Sequence, residues 1–252
     1  MVSRKERLDK ILIERDLVET REKAKALIME GKVFVNDIPV TKAGTLISTD
    51  ANITLKGQIP YVGKGGLKLE AALDHFGIVL DGLVVMDIGS STGGFTDCML
   101  KRGIKKVYCI DVGYGQLAWQ LREDPRVILF ERTNIRYLDR ARIPDEVDFI
   151  TIDVSFISLK KIIPKAMEFL TGGGKILALI KPQFEVGRGE VGKGGVVREA
   201  TKRMHAVEGI KKFVEGIGLN VIGIFQSPIK GSKGNIEYFI YLKGREWKKQ
   251  NL

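Results

Sequence analysis

Val85-Met86-Asp87-Ile88 is a short apolar run that gives way to Gly89-Ser90-Ser91-Thr92-Gly93-Gly94-Phe95, a glycine-rich turn leading into a helical pattern. In an open α/β sheet such a turn lies at the carboxyl ends of the strands, where ligands bind. The spacing is not the dinucleotide fingerprint G-x-G-x-x-G, because Ser91 stands where a second glycine would let a pyrophosphate approach. About 20 residues further on, Asp111 ends the next apolar run, where a carboxylate can accept hydrogen bonds from ribose hydroxyls. Asn134 follows the third run, placed to meet an adenine edge. The pattern suits an adenosine without phosphates, as in S-adenosyl-methionine, better than a dinucleotide. The expected cofactor-binding residues are Asp87, Gly89, Ser91, Thr92, Gly93, Gly94, Phe95, Asp111, Val112, Asn134 and Asp153.

Four further polar residues fall where such a fold converges. Asp153 follows the fourth apolar run, Lys181 ends the fifth just before Pro182, Glu237 begins the last, and Lys68 lies on the helix entering the domain. Taken singly, each is an ordinary strand end or surface lysine. Together, beside a methyl donor, they form a candidate catalytic group. A ribose 2'-hydroxyl is a poor nucleophile, so methylating it requires removing its proton as the oxygen attacks. A lysine serves as that base only when burial or a neighbouring cation lowers its own pKa. Lys181 is the expected base and Lys68 the neighbouring cation, with Asp153 and Glu237 orienting the two amines. No metal site is expected: His75 and His205 are isolated, and Cys98 and Cys109 lack paired ligand spacing.

The elements that must position these residues can be read from periodicity. In residues 1–56, Leu8, Ile11 and Leu12 recur at helical spacing toward Leu17, and Ser3 with Glu6 matches a capping box. Thr20 is the expected N-cap of a second helix, Arg21 to Glu30, with Ala24, Leu27 and Ile28 facing inward and Gly31 ending it. Val33 to Val35, a turn at Asn36-Asp37, and Ile38 to Val40 read as a hairpin, and Ile53 to Leu55 as a closing strand. Lys56 to Pro60 reads as a connector, the whole linker being taken as 57–62.

From residue 63 to 252, strands and helices alternate. Strands are expected at Leu83–Asp87, Val107–Asp111, Val127–Phe130, Val147–Asp153, Lys175–Lys181, Leu219–Phe225 and Glu237–Leu242. Helices are expected at Leu67–Phe76, Phe95–Arg102, Gln116–Arg122, Leu159–Phe169 and Glu199–Glu215. The alternation implies a mostly parallel sheet covered on both faces. The connection between the last two strands is too short for a crossover helix, so the last strand is antiparallel.

Composition narrows the classes. The 252 residues carry 41 Lys and Arg against 31 Asp and Glu, a net charge of +10. Residues 154–252 hold 18 basic and 8 acidic side chains and account for the whole excess, whereas residues 1–56 hold 11 and 9. Such a balance points to a polyanionic partner. No stretch approaches the roughly 18 apolar residues of a membrane span, and the charged start is no signal peptide. Two cysteines cannot build a disulfide framework; packed thiols in a reducing cytoplasm are expected.

At the level of motifs, residues 7–56 resemble an S4 RNA-binding domain, through Arg7-Leu8-Asp9, Thr20-Arg21, Ala24-x-x-Leu27-Ile28-x-x-Gly31-x-Val33-x-Val35-Asn36 and Asp50. The remainder resembles an FtsJ-type ribose methyltransferase. Gly65-Gly66-Leu67-Lys68-Leu69, Asp111-Val112-Gly113-Tyr114-Gly115-Gln116-Leu117, Asp153-Val154-Ser155-Phe156-Ile157-Ser158-Leu159, Lys181-Pro182-Gln183-Phe184-Glu185 and Gly234-Asn235-Ile236-Glu237-Tyr238, with the glycine-rich turn, are similar to the hemolysin A (TlyA) family over nearly the whole chain. The fold this implies is α/β: a Rossmann-like class I methyltransferase sheet, preceded by a small α+β S4-like domain. The resemblance implies a ribosomal RNA cytidine 2'-O-methyltransferase with a Lys68-Asp153-Lys181-Glu237 tetrad and S-adenosyl-methionine as cofactor. The chain ends about ten residues after its last strand; in this family the shorter form is associated with large-subunit RNA, the small subunit being the further option. Gln58-Ile59-Pro60-Tyr61 lacks the Arg and Trp that some members carry between domains.

The expected RNA-binding residues are Arg7, Arg21, Lys25 and Lys32 in the small domain, and Arg188 and Lys193 in a Gly-rich basic loop that follows Lys181. Lys230-Gly231-Ser232-Lys233 has similar composition, and such loops can hold phosphates around a splayed-out nucleotide. Two other readings stay open on sequence alone. One is an RNA-binding or ribosome-assembly factor without chemistry, which a methyl-transfer assay separates. The other is a membrane-lytic protein, which a liposome-leakage assay separates.

Overall fold

Asn36 and Asp37 both adopt positive φ, 48° and 65°, the backbone of a two-residue hairpin turn whose twist matches the flanking strands. The computed structural model describes residues 5–15, 17–55 and 60–244, and for Arg188 the backbone alone. It falls into two units, one reaching Ile59 and one starting at Pro60.

The first unit contains β1 (Lys5–Arg7), α1 (Leu8–Glu14), α2 (Arg21–Met29), β2 (Val33–Val35), β3 (Ile38–Val40), β4 (Leu46–Ser48) and β5 (Ile53–Leu55). Thr20 caps α2 by accepting from the Lys23 N–H at 3.2 Å. Strand β2 lies between β3 and β5, antiparallel to both. Leu8, Ile11, Leu12, Ala24, Ile28 and Val33 form the core. Leu27, expected inward, is half-buried against it. The pairing of β1 with β4 was not foreseen, because three charged residues, Lys5-Glu6-Arg7, show no alternation. Glu6 therefore lies in a strand and α1 starts after Arg7, which excludes the Ser3–Glu6 capping box; Ser3 itself lies outside the described residues.

The second unit contains α3 (Lys64–Phe76), β6 (Val84–Ile88), α4 (Gly94–Lys101), β7 (Lys106–Ile110), α5 (Trp119–Arg122), β8 (Val127–Phe130), β9 (Val147–Ile152), α6 (Ile163–Met167), β10 (Leu170–Ile180), α7 (Pro182–Glu185), α8 (Ala200–Gly216), β11 (Asn220–Gln226) and β12 (Tyr238–Lys243). Seven strands run in the order β11-β12-β10-β9-β6-β7-β8. β12 is antiparallel to both its neighbours, and the pairs from β10 to β8 are parallel. The central strands are buried on both faces, as helix-covered parallel strands require.

Two expected helices are shorter than their periodicity implies. Leu159–Phe169 divides into a 3-10 turn at Leu159–Lys161 and α6, because Pro164 has no N–H with which to continue the ladder. Gln116–Arg122 reduces to α5, because Ala118 takes a ψ of 140°, outside the helical range, so the helix starts only at Trp119. The expected linker, 57–62, falls partly outside the described residues, at 57–59. Tyr61 and Val62 already pack in the second unit: the Tyr61 hydroxyl donates to Glu70 at 2.7 Å and the Val62 N–H to Asp97 at 2.9 Å. Residues 245–252 also lie outside the described residues.

Candidate active site

The turn after β6 explains why three strand ends meet. Gly89 has a φ of +86°, and a Cβ there would stand 2.5 Å from the carbonyl oxygen of Asp153. Only glycine meets both demands. The Gly89 N–H donates to Ile110 O at 2.8 Å, and the Asp153 N–H donates to Ile88 O at 2.9 Å. The carboxylate of Asp111 accepts from the N–H groups of Ser91 and Gly113, both at 2.7 Å, which fixes it at the mouth of the cleft.

A cavity of about 420 Å³ opens there. Gly89, Ser91, Asp111, Val112, Asn134 and Asp153, all expected, line it. So do Gln116, Thr133 and Ser155, which were not expected, between apolar walls that include Ile88, Ile110 and Ile135. Gln116 and Ser155 lie within the family-like motifs, but nothing in those motifs says which side chains face inward.

Asp87, Thr92, Gly93, Gly94 and Phe95 are not on the cavity wall. Asp87 is fully buried and accepts from the hydroxyls of Thr96 at 2.7 Å and Thr151 at 2.8 Å. Burial pushes its carboxyl up to about 6, against those two hydrogen bonds. It ties β6 to α4 and β9. Gly93 and Gly94 serve close packing: a Cβ on Gly94 would lie 2.9 Å from the backbone nitrogen of Gly66, and one on Gly93 2.3 Å from Leu121. Phe95 stacks on Phe239 at 6.1 Å. The Thr92 carbonyl accepts from the Ala118 N–H at 3.1 Å.

The four polar residues form two ion pairs. Lys181 Nζ lies 2.6 Å from Asp153 Oδ1, with 12% and 21% of the side chains exposed, and donates to Ser155 Oγ at 3.0 Å. Lys68 on α3 donates to Glu237 Oε2 at 2.7 Å. The register aligns the pairs along one sheet edge: Asp153 follows β9, Lys181 follows β10, and Glu237 precedes β12, whose Tyr238 faces Ile180. Gly231 passes so near that a Cβ there would lie 1.9 Å from Glu237 Oε1.

The same segments are shared with known proteins. The FtsJ-like methyltransferase family matches residues 61–244, and the S4 domain matches residues 6–53. A Bacillus subtilis (strain 168) protein provisionally named rRNA methyltransferase YqxC is 48% identical over 96% of this chain and 87% of its own length. The 16S/23S rRNA (cytidine-2'-O)-methyltransferase TlyA of Mycobacterium tuberculosis is 41% identical over 96% of this chain and 91% of its own. The chain belongs to the TlyA (hemolysin A) family. A solved Streptococcus thermophilus structure carrying a hemolysin name is 43% identical, with a TM-score of 0.74 over 96% of this chain and 89% of that one.

In this TlyA-family chain the basic residues differ in how free they are. Arg7 and Arg21 both grip the buried Asp9, at 2.9 and 3.0 Å, which holds that carboxyl down at about 2. Lys32 pairs with Glu30 at 2.5 Å, and Lys25 is exposed. Lys193 is exposed, whereas the Arg188 side chain lies outside the described part of the chain. Asn235 fastens the Lys193 loop: it accepts from the Val197 N–H at 3.1 Å and donates to Gly195 O at 2.9 Å. Among the described residues no cluster of His, Cys, Asp or Glu could hold a metal, and no helix is long and apolar enough to cross a membrane. Cys98 and Cys109 are buried free thiols.

Proposed function

We propose that the protein is an S-adenosyl-methionine-dependent ribose 2'-O-methyltransferase acting on cytidine in ribosomal RNA, with the large-subunit RNA as its main substrate. The observation that carries this reading is the pairing of Lys181 with Asp153, a residue that lines the cavity. The Mycobacterium tuberculosis relative, named for this activity on both 16S and 23S rRNA, supports the reaction, and the S4 match supports an RNA or ribosomal-subunit partner.

The residues fit the cofactor. A cavity of about 420 Å³ lies in the range of small-molecule sites. Ile88, Ile110 and Ile135 offer apolar faces to an adenine, while Asp111 and Asn134 offer polar edges to a nucleoside. When bound, S-adenosyl-methionine supplies an electrophilic methyl group on a sulfonium. The chain supplies the rest. In its neutral form Lys181 Nζ takes the proton of the 2'-hydroxyl as that oxygen attacks, and the ammonium that results is the one paired with the Asp153 carboxylate at 2.6 Å. Ser155 fixes the amine by accepting its hydrogen bond. The buried Lys68–Glu237 pair braces the neighbouring strand end. Much of the acceleration is positional, from holding the hydroxyl in line with its target. Residues 1–56 act as the S4-like RNA-binding domain and residues 63–252 as the catalytic one, joined through 57–62.

Labelled methyl transfer to rRNA tests the reading. Lys181→Ala lowers turnover by about 100-fold or more while leaving cofactor affinity near normal. Retained turnover removes Lys181 from the role. Mapping 2'-O-methylated positions in both rRNAs, in a strain with and without the gene, identifies the substrate.

A further inference from the structure

Of the run Lys181-Pro182-Gln183-Phe184-Glu185, methyl transfer as described uses only the lysine. Its far end is engaged as closely. Glu185 Oε2 accepts from Ser158 Oγ at 2.6 Å, and Oε1 accepts from the Leu159 N–H at 2.8 Å. Both carboxylate oxygens thus hold the segment 153–159 that leaves β9. Burial raises the pKa of this carboxyl, and those two bonds oppose the rise. Between the two ends of α7, the Phe184 and Phe156 rings meet at 5.1 Å.

Segment 153–159 needs such a hold. Its start is anchored where the Asp153 N–H donates to Ile88 O, and its middle carries Phe156 at a φ of +65°, a conformation few L-residues adopt. Phe156 is 91% exposed and lines the cavity with Ser155. Ser158 already caps the 3-10 turn that follows, accepting from the Lys160 N–H at 3.2 Å. Glu185 is therefore not needed to cap that turn. What it adds is a tie between this loop and the helix that begins one residue after Lys181.

We propose that Glu185 is a positioning residue for the methyl-transfer step: by clasping Ser158 and Leu159 it fixes the loop whose Asp153 and Ser155 set the Lys181 amine. The inference rests on the function proposed above and names a residue that acts through Lys181. Displacing that amine by an ångström is enough to cost about 100-fold in turnover.

The experiment uses the full chain, with rRNA methylation, cofactor and RNA binding, and thermal melting measured in parallel. Glu185→Ala lowers kcat by about 100-fold, a far larger change than in KM for cofactor or in RNA affinity. Glu185→Gln keeps an acceptor for the Leu159 N–H and a polar partner for Ser158, and restores most of kcat. Ser158→Ala loses one of the two bonds together with its own cap on the Lys160 N–H, and in the Glu185→Ala background it costs less than it does alone, the signature of a shared interaction. Should Glu185→Ala not fold, Ser158→Ala alone still shows a lowered kcat at constant KM. Wild-type kcat in Glu185→Ala or Ser158→Ala, or a change confined to KM or to melting temperature, overturns the proposal. If Lys181→Ala is inactive while Glu185→Ala is fully active, only this inference fails. If Lys181→Ala is active, the function proposed above fails first.

Discussion

Lys68 and Glu237 stand 169 residues apart in the chain and meet at 2.7 Å, with 10% and 2% of their side chains exposed. A buried ion pair adds little net stability over an apolar pair of similar volume, but removing one partner strands the other charge. Lys68→Ala therefore destabilises the second unit by about 3–5 kcal/mol. Lys68→Met combined with Glu237→Leu recovers most of that stability without recovering methyl transfer. Urea denaturation of the single and double variants measures the difference, and equal stability in all of them rules out the pair as drawn.

Asp87 makes stability depend on pH in a definite direction. Its carboxyl is raised in the fold to about 6 from a value of 3.8, first by burial and further by Asp153 and Asp111. Between these values the folded chain holds a proton that the unfolded chain has lost. Stability thus falls as pH rises from about 4 to about 6 and levels off above, the whole step amounting to about 3 kcal/mol. Asp87→Asn flattens this slope. Unfolding free energies at intervals from pH 4 to pH 7 detect it.

Gly89 cannot carry a side chain, because φ is +86° and Asp153 O occupies the space. Gly89→Ala displaces the turn or the Asp153 end of β9. Binding of S-adenosyl-homocysteine, measured by calorimetry, weakens by about tenfold or more, in keeping with a strain of order 1–3 kcal/mol. Unchanged affinity means that the turn is not part of the cofactor site.

The basic loop after Lys181 predicts a salt effect. Arg188→Glu with Lys193→Glu weakens RNA binding and lowers the slope of log affinity against log salt by about one for each phosphate that is no longer neutralised. Fluorescence anisotropy across a salt series reads both quantities. An unaltered slope locates the RNA elsewhere.

Much of this architecture was legible in the sequence because burial leaves long apolar runs and polar residues interrupt their ends. Asp153, Lys181 and Glu237 each stand one residue outside a strand, so the periodicity that delimits the strands also picks them out. Partner choice was not legible. That Glu237 takes Lys68, and Asp153 takes Lys181, follows from strand order and side-chain reach. Nor was the side-chain direction of Asp87 legible: nearness to the turn in sequence does not say which way a strand residue points, and this one turns to Thr96 and Thr151. Ser155 and Glu185 fall inside the family-like motifs, but nothing there separates a hydroxyl or a carboxylate with a structural partner from an ordinary loop residue.

Strand β12 runs against its neighbours and lies between β10 and β11, not at the rim of the sheet. Its docking brings together segments far apart in the chain, the kind of closure that comes slowly in folding. Glu237 stands at the entrance to this strand, so the counter-ion of Lys68 reaches its place only when β12 has slotted between two strands that run against it. The last strand laid down in the sheet is therefore also the one that neutralises a buried amine on the first helix of the second unit.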